Sequence, residues 1–478
     1  MAASLLRKGT YNSRDIKFEL EATMVVFEAS HAPAMKKLGP KLEVSPATKR
    51  LWRELQQEMI ALEGLYSQAT GEDYQPPEPV RARDMGALET FFEAMHGRRW
   101  LKLAGWLGRT ATANSRGVPP FSCNPWCWDG VECGVGDVQG LFLRGNQLQG
   151  VLPGQALADM HGLVTLDLSD NEIEGTLPRE LGELVHLQYL RLAVTKLEGC
   201  IPDTLGLIKG LRELDLSYSR LAGRIPASLG GCVKLASLNL AHNRLHGSIP
   251  PELGSLRGLR ELLLGHNRLT GIIPASFGEL VRLRSLSLSC NDLQGSLPPW
   301  LGKLASLRVL LLDGNQLTGR LPQTLENLQD LEVVHLQLNS LRGTIPRCLG
   351  KLRALRVLNL AGNRLEGKIP AEFGDLANLA GLELGQNLIV GPIPEELGRL
   401  SRLVDLHLLE GCPSYSLQLH RAFSRHAFER VFITGPSLGL NNTNYPRGEE
   451  IVTASNSPRS AFGGVSDPRN CDEDTREL

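Results

Sequence analysis

Three groups of residues in this chain have side-chain types and spacing that could do chemistry. Gly435-Pro436-Ser437-Leu438-Gly439 fits G-x-S-x-G, the pattern that sets a nucleophilic serine on a strained turn between a strand and a helix. Leu440, Asn441 and Asn442 follow, and the stretch after Pro436, rich in Asn, Ser, Arg and Asp, has the composition of a disordered tail. Ser437 therefore lacks the elements that would activate it. His242, His266 and Cys290 recur at steps of 24 residues. As one column on neighbouring strands about 5 Å apart they would span about 10 Å, so a pair could share a zinc ion but three could not. The column reads instead as solvated polar positions. Cys123, Cys127 and Cys133 are three thiols with no histidine nearby, one ligand short of a structural zinc site. Neither a G-x-x-x-x-G-K-[ST] phosphate loop nor a kinase signature is present. The expectation is a chain that is not an enzyme and takes no cofactor and no metal.

Bulk properties narrow the partner. Lys+Arg 51 against Asp+Glu 52 leaves no basic excess of the kind that nucleic acid or an anionic membrane calls for. Gly 50 and Pro 28, in a chain without low-complexity tracts, must sit at regular turns. The nine cysteines are odd in number and mostly scattered, which is not a disulfide framework. Arg7, Lys8, Arg14, Asp15, Lys17 and Glu19 interrupt any apolar core of a signal peptide. No run of about 18 apolar residues suggests a membrane span. As it stands, the chain reads as cytoplasmic.

What positions any functional side chain is a repeat. Asn146, Asn171, Asn243, Asn267, Asn291, Asn315, Asn339, Asn363 and Asn387 fall in one column, with a 24-residue step from Asn171 onward and Thr195 and Ser219 in the two missing places. Glycine follows four residues later and proline seven later, giving eleven complete turns and a final strand at 403–408. Before each asparagine stands L-x-x-L-x-L, as in Leu259, Leu262 and Leu264, whose alternation predicts a short strand with leucines inward. A buried asparagine side chain satisfies backbone groups that the following turn leaves unpaired. Glycine permits the tight bend, proline fixes φ, and residues such as Glu252 to Leu256 supply a short helical return. Thr195 and Ser219 keep a hydroxyl, so a partial substitute for the asparagine ladder is expected there.

The consensus L-x-x-L-x-L-x-x-N-x-L-x-G-x-I-P-x-x-L-G-x-L resembles plant-type leucine-rich repeats, as in receptor-like proteins, receptor kinases and polygalacturonase-inhibiting proteins. The resemblance covers about 138–411 and implies an α/β repeat solenoid: a right-handed superhelix with a parallel sheet on its concave face and a helical N-terminal cap. Upstream, Ala87 to Gly97 reads as an amphipathic helix stopped by glycine, followed by Trp100, Trp106 and Cys127-Trp128-Asp129-Gly130-Val131-Glu132-Cys133. This segment is similar to the caps of plant-type repeat proteins and to the shorter caps of algal and stramenopile ones. It implies a Cys127–Cys133 disulfide, although the spacing is one residue short and Cys123 is a competing partner. Such caps belong mostly to secreted or membrane proteins, which would place the chain outside the cell or at its surface if a signal peptide precedes it.

The chain thus divides into a helical, partly disordered extension (1–82), a cap (83–137), the repeats (138–411) and a C-terminal cap segment with a disordered tail (412–478). A helix through Leu51, Leu55, Met59, Leu62 and Tyr66 is expected to dock on the cap, and Leu419, Phe423 and Phe428 on the last turn. On the strand face, Arg212, Arg260, Arg284, Arg308 and Arg356 form one column, an edge suited to carboxylates and open to pairing with Glu213, Glu261 and Glu332. Beside it the middle repeats turn apolar, with Leu263, Val309, Leu311, Val333, Leu338 and Val357, and with His335 among them. The expected function is binding of a protein or peptide on this middle face, in recognition, signalling or defence, by a monomer. A secreted inhibitor of the polygalacturonase-inhibitor type is the alternative.

Overall fold

A computed structural model describes residues 81–102, 128–134, 136–408 and 430–433. They belong to two compact units, Met1–Leu187 and Gln188–Leu478.

In the first unit, helix α1 (Ala82–Ala94) buries Leu88, Phe91 and Phe92. Trp100 meets both phenylalanine rings edge-on, with centroids 6.0 and 5.2 Å away, and its indole N–H donates to the Met95 carbonyl at 2.8 Å. The helix begins five residues before the predicted start and ends before Gly97. His96 adopts the left-handed turn (φ 51°) that glycine was expected to supply. Gly97 is needed for a different reason: a Cβ there would stand 2.1 Å from the Phe92 ring. Asp84, fully buried on the helix, accepts the Val138 N–H at 2.9 Å, and Arg83 pairs with its other oxygen at 3.3 Å. A charge so enclosed is tolerated because both oxygens are partnered. Val131–Cys133 runs antiparallel to Val138–Phe142 and so closes that edge of the sheet, while Thr165–Asp167 continues it in parallel.

The second unit is built of stacked turns. Eleven described strands, from Tyr189–Arg191 to Arg430–Ile433, pair in sequence order, and the strands from Tyr189–Arg191 to Gly381–Glu383 are three residues long. Register is fixed by the repeat: Ser237, Glu261, Ser285, Val309, Val333 and Val357 are successive Cα partners. Behind the strands one turn's leucines, Leu283, Leu286, Leu288, Leu293, Leu301 and Leu304, are all fully buried. Each contributes roughly 1.5–3 kcal/mol of apolar transfer. The returns are 3-10 turns of five residues entered from proline, as at Pro274 (φ −60°) before Ala275–Glu279. Where neighbouring returns touch there is no room for a side chain: a Cβ on Gly206 would lie 2.3 Å from the Ser228 carbonyl oxygen.

A second, lateral set of parallel strands follows the asparagine column. Glu198–Cys200, Arg220–Gly223, Arg244–Ser248, Arg268–Gly271 and Asp292–Leu293 form a five-stranded sheet, and Arg342–Thr344, Arg364–Gly367 and Leu388–Ile389 a three-stranded one. At the C-terminal end Arg430–Ile433 pairs in parallel with Asp405–Leu408, 25 residues further on. The ladder therefore gains a strand that no leucine motif announces. The expected helix near Leu51, the packing of Leu419, Phe423 and Phe428, and the pattern around Ser437 lie outside the described residues.

Candidate functional site

The strand face is held by the asparagine column, and the bonds show how. The Asn243 amide N–H groups donate to the carbonyls of Leu216, Leu240 and Ala241 at 2.8, 3.2 and 3.3 Å, while its oxygen accepts the Leu221 N–H at 3.0 Å. Asn267, Asn291, Asn315, Asn339, Asn363 and Asn387 repeat this pattern, so each side chain ties its turn to the one before it. At the two exceptions the hydroxyls of Thr195 and Ser219 share a hydrogen bond of 2.9 Å, and Thr195 also donates to the Leu192 carbonyl at 3.1 Å. A hydroxyl chain thus replaces the amide ladder, as its chemistry allows.

The arginine column is exposed throughout, but its members differ in their company. Glu332 pairs with both Arg308 and Arg356, at 3.6 and 3.9 Å. Glu213 turns away from Arg212 to meet Arg191 through two bonds of 2.6 and 2.7 Å, with the guanidinium 5.5 Å from the centre of the Tyr189 ring. Glu261 accepts the Ser237 hydroxyl at 2.9 Å. Among the described residues, Arg212, Arg260 and Arg284 have no acid within 4.0 Å.

Beside that column Val309, Val333 and Val357 are direct cross-strand partners, and Gly381 ends their row. Leu263, Ser287, Leu311, His335 and Asn359 form the next row. The structure therefore brings these predicted residues together, with one correction. They were expected to form an exposed apolar patch, yet all six apolar members are half-buried, because β-branched and leucine neighbours at this spacing cover one another. Leu338 stands apart in the left-handed conformation (φ 58°) just before Asn339. Nearby, the buried Gln337 Oε1 has no hydrogen-bond partner among the described residues.

In the column before the asparagines, His242 and His266, expected as solvated polar positions, are half-buried, whereas Tyr218 is exposed. Tyr218, His242 and His266 all have left-handed φ (52°, 54° and 54°), and their rings stack face to face, with centroids 4.0 Å apart and planes 12° from parallel. Burial lowers the pKa of His242 to about 4, helped by His266. Burial also lowers that of His266, against the pull of Asp313. Both rings are neutral at pH 7, which lets them stack. Among the described residues, no group of three or more His, Cys, Asp or Glu side chains is arranged to hold a metal ion. Cys133 is buried, whereas Cys123 and Cys127 lie outside the described residues, so the implied disulfide has no geometry here.

Sequence reasoning missed the lateral strands as a surface. Arg220, Arg244 and Arg268 open three successive strands there, and their recurrence one residue after the asparagine column was the available signal.

Comparison with known proteins agrees with this architecture. A family model described as Leucine rich repeat matches residues 137–197 and 257–317, and a second of the same description matches 210–232, 234–256 and 354–376. The Leucine-rich repeat receptor-like serine/threonine-protein kinase RGI4 of Arabidopsis thaliana is 38% identical over 80 residues, which is 16% of this chain and 7% of that protein. Among solved structures, the plant peptide hormone receptor RGFR1 in complex with RGF2 is 35% identical with a TM-score of 0.58, covering 62% of this chain and 47% of that one. The Arabidopsis receptor kinase HAESA, in complex with the peptide hormone IDA and the co-receptor SERK1, is 30% identical with a TM-score of 0.57, covering 69% and 58%. The chain thus spans about half of the solved receptor chains and a small part of the curated relative. The chain carries leucine-rich repeats, homologous to those of the receptor-like proteins of plants.

Proposed function

We propose that this chain is a recognition module that holds a peptide or an extended protein segment on its strand face and does no chemistry on it. The observation that carries this reading is the register of Val309, Val333 and Val357 immediately beside Arg308, Glu332 and Arg356. An apolar row flanked by charged groups supplies both contact area and orientation. Leu263, Leu311, His335 and Leu338 extend the apolar part, and Arg212, Arg260 and Arg284 extend the charged edge with guanidiniums open to carboxylates. Similarity to ectodomains solved with peptide hormones supports a signalling role and favours the extracellular alternative over a cytoplasmic one.

The test is affinity capture from the protein's own cells with the intact chain and with a Leu263→Glu, Leu311→Glu double variant, both checked for folding by circular dichroism. A partner retained by the intact chain and lost from the variant is the expected result. Equal retention would move the site to another face.

A further inference from the structure

The lateral sheet carries a second charged surface, distinct in residues from the strand face. Arg220, Arg224, Arg244, His246 and Arg268 are all exposed. The three segments that hold them, 220–224, 244–248 and 268–272, contain no acid. Among the described residues, none of the four arginines has a carboxylate within 4.0 Å, unlike Arg191, Arg308 and Arg356 on the strand face.

The patch is also braced. The stem of Arg224 lies over Gly247, where a Cβ would meet it at 3.2 Å. Tyr218, His242 and His266, each two residues before an arginine of the patch, are locked in one stack. Fixed neighbours lower the entropy lost when a guanidinium engages a ligand. The patch has ends as well: Glu198 stands on the strand before it, paired with Arg220 in register, and Asp292 opens the strand after it.

We infer that this lateral patch docks a short acidic segment of a partner protein, one bearing about three carboxylates. Unpaired guanidiniums favour planar oxyanions bidentately. The bounding acids disfavour a long polyanion such as nucleic acid, which would run onto Glu198 and Asp292, and the net charge of -1 provides no general attraction for one. On the strand face Arg308 and Arg356 are poorer candidates, because Glu332 already pairs with both, whereas Arg212, Arg260 and Arg284 are the competing site that the test separates.

The test uses the full chain and a capped hexaglutamate peptide, with hexaglutamine as control, by titration calorimetry at low salt. Hexaglutamate should bind and hexaglutamine should not. Arg220→Gln, Arg244→Gln and Arg268→Gln together should weaken binding at least tenfold, with an unchanged circular dichroism spectrum. Asp292→Arg, which lengthens the patch, should tighten it severalfold, a gain that misfolding cannot produce. The Leu263→Glu, Leu311→Glu variant should bind the probe normally, which keeps this test separate from that of the strand face. No binding of hexaglutamate overturns the inference. So does loss of binding from Arg212→Gln, Arg260→Gln and Arg284→Gln instead, or tighter binding of a 20-residue oligothymidylate than of hexaglutamate at the intact patch.

Discussion

The strand face around Val333 and the lateral patch around Arg244 are mounted on the same ladder but have settled their charges differently. On the strand face Glu332 already serves two arginines beside a row of half-buried valines. On the lateral face four arginines have no acid within 4.0 Å among the described residues, beside a neutral ring stack. Charges that are already paired orient a ligand held mainly by apolar contact, whereas unpaired ones must themselves supply the attraction. Two surfaces of one repeat can therefore select chemically different segments.

The largest effect should come from removing the support beneath either surface. Asn339→Ala removes the amide N–H groups that donate to the Leu312, Leu336 and Gln337 carbonyls and the oxygen that accepts the Leu317 N–H. Asn243→Ala does the same beneath the lateral patch. Each should cost roughly 2–4 kcal/mol in urea unfolding, at about 1–3 kcal/mol per buried group left unsatisfied. Equal losses with different binding defects, hexaglutamate binding suffering from Asn243→Ala and not from Asn339→Ala, would sharpen the contrast.

Acid should act next, through the ring stack. Above about pH 6.5 the imidazole at 242 is neutral in folded and unfolded chains alike. Between there and about pH 4 the unfolded chain takes up a proton that the folded chain refuses, so stability falls as pH drops through this window. Urea midpoints at pH 7 and pH 5 measure the loss, and His242→Gln should make the difference smaller.

A smaller change is expected in the core under the strand face. Val334 stands where its cross-strand neighbours are Leu310 and Leu358, and a cavity of about 10 Å³ lies among these leucines. Val334→Leu should stabilise by less than about 0.8 kcal/mol, the value of one buried methylene, read as a small rise in Tm. The smallest stability effect belongs to Glu332→Gln, within about 0.5 kcal/mol, because its arginine partners are exposed and both ion pairs are long, at 3.6 and 3.9 Å. It also makes the strand face resemble the lateral one. Arg308 and Arg356 would be released, and hexaglutamate should gain a second, weaker binding event in calorimetry.

Much of this was legible before any coordinates. The asparagine, glycine and proline columns foretold the turns, the buried amides and the hydroxyl substitution at Thr195 and Ser219, because each serves a local backbone need that recurs every 24 residues. The columns of arginine and valine were legible for the same reason. What escaped depended on which neighbour a side chain faces, within its own turn or on the next. Glu213 chose Arg191, not the adjacent Arg212, and the histidines turned to stack where solvent had been expected. Gly97 looked like a helix stop, but the Phe92 ring required it, and Arg430–Ile433 joined the sheet without any leucine pattern to mark it.

The most direct test of recognition on the strand face is calorimetric titration of the captured partner into the intact chain and into a Val309→Glu, Val333→Glu, Val357→Glu variant. Binding to the intact chain should fall at least tenfold in the variant, while hexaglutamate binding at the lateral patch stays unchanged and confirms the fold. Undiminished partner binding to the variant would contradict a ligand seated on this row.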